Sequence, residues 1–267
     1  MTDTPDFTLA ELMIVAAAQA WRDDGELLAH GIGTLPRIAV GLAKLTLNDN
    51  LLMTDGEAFL SEDPIVLGSG AEDRPGFVGW SPFHRIFDIL WSGRRHAMVT
   101  PVQIDRWAQG NISCLGEFAK PKVQMLGVRG FPGNSISHRN SMLVTSHTKR
   151  TFVEGEVDVV SSAGYSNKHW PQGMTPPDIL FGLVISDLCV MDFNGPDHAP
   201  RVVSLHPGVT FDQVQANTGF ALLKAPGLAQ TKTPTAEELA IIRRLDPKDM
   251  RSTAIKGNPP GIRALAA

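Results

Sequence analysis

Two carboxylates flank a glycine in the segment LLMTDGEAFL: Asp55 and Glu57 stand either side of Gly56, where the apolar run Leu51, Leu52, Met53 ends in Thr54. A strand that ends in such a turn delivers carboxylates to the loop edge of a sheet, where α/β proteins bind ligands. A carboxylate there can act as a base, a nucleophile or a positioning group, and it can equally be a solvated turn. A second candidate is LGVRGFPGNSISH, in which Gly127, Gly130 and Gly133 recur every three residues after an apolar stretch. Glycine allows positive φ and a close approach of backbone to ligand. Amides of this loop can form an oxyanion hole, and Arg129 can hold a carboxylate in a forked pair. Asn134, Ser135, Ser137 and His138 share the loop, whose alternative is a turn with a polar rim. A third is Gly31-Ile32-Gly33, whose amides can face a phosphate or an oxyanion. The full dinucleotide fingerprint would need a third glycine where Pro36 stands, and a tight strand-to-helix turn explains the pair as well.

Other chemistries find no footing. The eight histidines are scattered, none paired at i, i+4 beside a carboxylate, which argues against a metal site. Asp192, Asp197 and His198 lie near one another, but NGPDH reads first as a turn. There is no G-x-S-x-G elbow and no Walker loop. The two cysteines, Cys114 and Cys189, support neither a disulfide framework nor a zinc motif, and Cys189 sits in an apolar run as a small buried hydrophobe would. This usage fits a reducing, cytoplasmic setting. A net charge of -4, with basic runs no longer than Arg94-Arg95 and Lys149-Arg150, argues against a nucleic acid or an anionic membrane as partner. The apolar piece MIVAAAQA is short and has an acidic upstream flank, unlike a signal peptide, and no stretch is long enough to span a bilayer.

The elements that must position these groups follow from periodicity. Thr8 and Glu11 form a capping box that opens a helix running to about Arg22. ELLAHGIG gives a short strand and glycine loop. Thr34 can cap the next helix, with Pro36 in its first turn, and that helix stops at the Asn48-Asp49-Asn50 cluster. The strand LLMT completes a βαβ unit of the kind that builds a parallel sheet. Phe83, Ile86, Phe87 and Leu90 fall at helical spacing, with Gly93 as C-cap. β-like segments follow: HAMVTPVQI, NISCLG, KVQMLGV, LVTSH and RTFVEGEVDVV. DILFGLVISDLCVMDF and RVVSLHPGVTF read as strands flanking a loop. Thr235 and Glu238 cap a last helix, TAEELAIIRRL, after which the segment from about 245 to 267 reads as an extended, loosely held tail. With no internal repeat or linker, residues 1–267 read as one α/β domain.

Several segments together resemble the β subunit of class I coenzyme A transferases: GIGTLPRIAVGLA, PVQIDRWAQGNIS, LGVRGFPGN and HPGVTFDQVQANTGF, in the family's order along nearly the whole chain. The resemblance implies that family's fold, a mostly parallel sheet with flanking helices and additional β segments. It also implies coenzyme A or substrate contacts at Gly31, Gly33, Gln103, Asn111, Gly127, Arg129, Gly130, Gly133 and Asn134. In true transferases the strand before Gly56 ends in a glutamate that forms the acyl-enzyme and thioester intermediates. Alignment on Gly56 puts Thr54 there, and a threonine hydroxyl without a base cannot replace a carboxylate nucleophile. A divergent branch, the β subunit of the steroid ring-cleaving hydrolase of cholesterol and bile-acid breakdown, looks closer, through LLMTDGEAFL, GWSPFHRIFDILWSGRRH, GVRGFPGN, TFVEGEVDVVS, FNGPDHAPRVVSLHPGVT and LDPKDMR. That likeness implies an α subunit as partner, an α2β2 heterotetramer and an acyl-CoA substrate opened by retro-Claisen hydrolysis. The principal base, a glutamate, would come from the α subunit, with Asp55 and Glu57 in supporting roles. No cofactor is implied beyond the coenzyme A of the substrate. A transferase, a non-catalytic scaffold subunit and a sugar-phosphate sensor are the alternatives, the last weakened by the absence of a DNA-binding helix-turn-helix.

Overall fold

Thr8 starts the first helix as its sequence demands. Its hydroxyl accepts the Glu11 N–H at 3.4 Å, and the Glu11 carboxylate accepts the Thr8 N–H at 3.0 Å. The helix that follows, α1 (Leu9–Ala18), is buried on every side, because it lies between the sheet and other helices. The structure is a computed structural model, and it describes residues 6–54, 59–70, 76–126, 128, 130–168, 170–173 and 178–263.

Next come β1 (Leu28–Gly31), α2 (Thr34–Thr46) and β2 (Leu52–Thr54), the βαβ unit. The chain then adds β3 (Phe59–Ser61), β4 (Phe77–Trp80), α3 (Ile86–Trp91) and β5 (Arg95–Val99). Two small hairpins follow, β6 (Gln103–Ile104) with β7 (Gly110–Asn111), and β8 (Cys114–Leu115) with β9 (Val123–Gln124). The second half runs α4 (Phe131–Ser137), β10 (Arg139–Leu143), β11 (Phe181–Ile185), β12 (Cys189–Asp192), β13 (Arg201–Leu205), α5 (Phe211–Ala216), β14 (Leu223–Gln230) and α6 (Ala236–Leu245).

Ten of these strands form one sheet in the order β14-β13-β12-β11-β10-β5-β1-β2-β3-β4. Its centre, from β2 through β1, β5 and β10 to β11, is parallel; the antiparallel pairings are added on either side. Alternation along each strand divides the core in two. Ala29, Met53, Met98, Leu143 and Ile185 face α1, α2 and α6. Val99, Met142 and Val184 face the other way and pack with Ile104, Phe131 and Phe152. His30 pairs in register with Ala97, so it shares the second face with Arg95.

Four local expectations are corrected. The cap of α2 is Gly33, at φ +115°, and Thr34 is the first helical residue. The glycine segment is not all loop, since residues 131–137 form α4. RTFVEGEVDVV contributes one bridge, Ile104 with Phe152: Val153 N–H donates to Ile104 O at 3.0 Å, but further along Val157 N–H goes to Asp105 at 3.3 Å and Asp158 N–H to Gln103 at 3.0 Å. The C-terminal segment is anchored up to Arg263. Gly261 N–H donates to Phe7 O at 2.8 Å, Leu9 N–H to Pro259 O at 2.8 Å, and Arg251 lies buried against Glu11 and Asp246.

Candidate active site

Strands β1 and β2 run side by side and end at Gly31 and Thr54. A cleft of about 160 Å³ opens there, lined by Gly31, Thr54, Arg37 and Val40 and walled by residues 65–70. Gly31 is required by packing: a Cβ there would lie 2.3 Å from the carbonyl carbon and oxygen of Pro36. Gly33 has the positive φ of a strand-to-helix turn. Both glycines therefore have a backbone reason beside any ligand role. Arg37 gives the cleft a cation, exposed and one turn past Gly33, whose carbonyl accepts its N–H at 3.1 Å. Nothing in the sequence singled it out except its place just beyond the glycine loop. Asp55, Gly56 and Glu57, which follow Thr54, lie outside the described residues, as do Gly127 and Arg129.

The other glycine segment meets the sheet from the far side. Gly130 takes φ +81° and caps α4, with Leu90 against it. Gly133 faces Trp91 at an ordinary contact distance, so the backbone does not require glycine there. Asn134 is buried and turned inward, where its side-chain oxygen accepts a bond from Arg95 at 2.9 Å and its carbonyl one from Asn140 at 2.8 Å. Arg95 also contacts His30 Nδ1, and His138 Nε2 at 3.5 Å. A guanidinium only donates, so both ring nitrogens accept. His138 then carries its proton on Nδ1 and donates to Arg139 O at 2.9 Å. Burial, with the positive charge of Arg95 as a smaller cause, pushes His138 down to about 4.

Gln103 and Asn111 do not reach the cleft as free side chains. They face each other across the β6–β7 hairpin, Asn111 Nδ2 donating to Gln103 Oε1 at 2.7 Å and to Cys114 O at 2.8 Å. Between them the buried Asp105 accepts the N–H groups of Trp107 and Gln109 at 2.9 and 3.1 Å, with Ala108 held at φ +63°. Burial raises Asp105 to about 6 despite these bonds. The signature segment is thus a polar brace inside the fold, and its spacing could not say which way the side chains point.

Two further constellations were not legible at all. Ser141, His96 and Asp24 line up as a nucleophilic triad would, with Ser141 Oγ 2.9 Å from His96 Nε2 and His96 Nδ1 on the Asp24 carboxylate. Ser141 and His96 are 0% exposed, Leu183 N–H donates to the same hydroxyl at 3.0 Å, and no substrate can reach it. The group ties the turn after α1 to the opening residues of β5 and β10. Likewise Cys189 lies 4.0 Å from His147 Nδ1, fully buried, and burial pushes its thiol up to about 12, which keeps it an unreactive thiol. Among the described residues no cluster of three His, Cys, Asp or Glu is arranged to hold a metal.

No family model matches the chain. The cholesterol ring-cleaving hydrolase IpdB subunit of Rhodococcus jostii (strain RHA1) is 42% identical over 94% of this chain and 97% of its own. The crystal structure of Rhodococcus jostii RHA1 IpdAB superposes with a TM-score of 0.85 at 42% identity, over 93% of this chain and 98% of that one. The chain belongs to the family of IpdB subunits. A 3-oxoadipate CoA-transferase subunit of Pseudomonas knackmussii is 31% identical over 96% of this chain and 98% of its own, which places the IpdB family within the wider coenzyme A transferase fold. Within that fold the end of β2 is where the resemblance puts the transferase glutamate. In this IpdB-family chain the same strand end carries Thr54, half-buried at the cleft.

Proposed function

We propose that the chain is the β subunit of a heteromeric acyl-CoA hydrolase that opens a carbocyclic ring of a β-keto acyl-CoA in steroid degradation. Water adds to the ring ketone, the bond between that carbon and the α carbon of the thioester breaks, and the ketone carbon leaves as a carboxylate. The electron pair passes to the α carbon as a thioester enolate, which is then protonated. The reaction needs a base for water and donors for two developing oxyanions. The base is a glutamate of the α subunit. Asp55 and Glu57 orient the water and polar partners, the segment from Gly127 to Asn134 supplies amides, and Arg129 meets the substrate carboxylate. The cleft beside Gly31 and Gly33 receives part of the acyl-CoA. No separate cofactor takes part, since coenzyme A arrives with the substrate. The working assembly is an α2β2 heterotetramer in the cytoplasm.

Thr54 carries this reading, because a strand end without a carboxylate offers no acyl-enzyme, whereas hydrolysis by water needs none. A second reading, a coenzyme A transferase, is favoured by the 31% identity to a transferase subunit. The fate of labelled water separates the two. The chain is co-expressed with its α subunit and given bicyclic-derived keto acyl-CoA compounds in ¹⁸O water, with and without an acceptor acid. Heavy oxygen in a new carboxylate, with coenzyme A still attached, is the expected result. Coenzyme A moving to the acceptor would establish the transferase instead.

A further inference from the structure

Most buried ions of this protein are met by opposite charges. Glu11 meets Arg243 at 2.9 Å and Arg251 at 3.3 Å, Asp192 meets Arg201 at 2.7 Å, and Asp24 meets His96 and Arg139. Asp105, the buried acid without a cation, is met by three backbone amides. Arg95 departs from this pattern. It is 4% exposed, and its guanidinium faces three neutral acceptors: the amide oxygen of Asn134, Nδ1 of His30 and Nε2 of His138. Among the described residues no carboxylate meets it. Burial lowers its proton affinity only to about 10, so it remains a cation at neutral pH. A buried charge left unpaired costs several kcal/mol, and three neutral acceptors give no structural need for a cation here.

The surroundings of Arg95 point to a use. His30 is the residue before Gly31, which lines the cleft. Because Arg95 can only donate, His30 Nδ1 accepts from it and Nε2 is the ring's donor. Asn134 lies one helical turn from Gly130, to whose carbonyl its N–H donates at 2.8 Å. One guanidinium therefore ties the end of β1 to the segment that begins at Gly130, and among the described residues no carboxylate compensates its charge.

We propose that Arg95 is a positioning residue of the reaction: through His30 it holds the end of β1 beside the cleft, through Asn134 it holds the segment that begins at Gly130, and it keeps a positive charge behind them for the anionic intermediate. The inference rests on the ring-opening reading, in which the thioester enolate is that anion. A preorganised charge in a water-poor setting acts on a developing anion without reorganising at the moment of reaction.

The test uses the assembled complex with its α subunit, comparing wild type with Arg95→Met and Arg95→Lys for kcat, KM and Tm. Methionine should lower kcat by about a hundredfold or more, with KM within about threefold. Its Tm should fall only modestly, because removing an unpaired buried ion offsets the loss of a donor to Asn134, His30 and His138. Lysine keeps the charge without the fork and should recover about tenfold of the loss. A methionine variant within about threefold of wild-type kcat overturns the proposal. So does a loss of kcat that merely follows a fall in Tm, with lysine no better than methionine. Where the methionine variant fails to assemble, Arg95→Gln takes its place, and equal kcat for lysine and glutamine overturns the proposal. A wild-type complex that transfers coenzyme A overturns the ring-opening reading, while Arg95 is then read on transfer, whose oxyanion needs the same charge.

Discussion

Replacing Thr54 by valine removes the hydroxyl at the cleft and keeps the branched shape of the side chain. A nucleophile lost in this way would cost at least about a thousandfold in kcat. Hydrolysis by water predicts instead a fall of no more than about tenfold in kcat/KM, the cost of one hydrogen bond at a partly buried site. Steady-state kinetics of the complex decide between them. At this scale the sequence discloses residue types but not directions. Gly31 and Gly130 could be picked out because packing and positive φ demand them, and the structure shows both demands. Gln103, Asn111 and Asn134 could be picked out only as polar residues in a recurring segment. Their side chains turn inward to one another and to Arg95, and nothing local distinguishes that from turning outward. Arg95 itself lies in an ordinary strand pattern, and its company comes from β1 and α4, far away in sequence.

Among the elements, the C-terminal segment shows how a polar, proline-rich stretch can be structural. Glu11 sits 1% exposed inside α1, and although burial opposes its charge, the bonds from Arg243 and Thr8 hold its carboxyl below the ordinary range. Arg251 completes the pair from beyond α6 and also holds Asp246 at 3.0 Å. Arg251→Met should lower the stability of the complex by about 3 kcal/mol, because it removes the cation from the buried Asp246 and leaves the buried Glu11 with Arg243 alone. Denaturant melts read that loss, and an unchanged midpoint would mean that the segment is a passive strap. The helices α1, α2 and α6 were legible because their signals are local, as was the βαβ unit; α5 has a capping box of its own, Thr210 with Gln213, but is only six residues long and follows a segment that reads as strand. The tail, α4 and β14 were not. Their order comes from long-range partners such as Phe7 for Gly261 and β13 for β14, while glycine and proline in their sequences argue locally for loops.

The sheet as a whole ends on β4, whose Phe77, Val78 and Trp80 are 53%, 48% and 65% exposed, with Phe83 and Trp91 exposed nearby in sequence. An apolar edge strand of this kind pairs with other chains unless something covers it. Expressed without its α subunit the chain should therefore form aggregates, and Trp80→Lys should reduce them; a clean monomer by light scattering would count against a covered edge. The interior sets a second property of the whole molecule. Burial lowers His147 to about 3 and His138 and His206 to about 4, and it lowers His96 as well. Below about pH 6.5 the unfolded chain binds these protons and the folded chain does not, so stability is full above that value and is lost as the pH falls toward 4. Asp105 works in the opposite sense. Its folded value of about 6 lies above the ordinary 3.8, so between those values the folded state binds the extra proton and gains stability as the pH falls. Three or four histidines outweigh one aspartate. The net slope is of two groups or more, on the order of 3 kcal/mol per pH unit at its steepest. Thermal scans of the complex should show Tm level from pH 8 to about 7 and falling steadily between about 6.5 and 4.5. A Tm that held level to pH 4.5 would mean that these imidazoles open to water before the fold does, and that the buried groups around Ser141 and Cys189 are not part of the cooperative core.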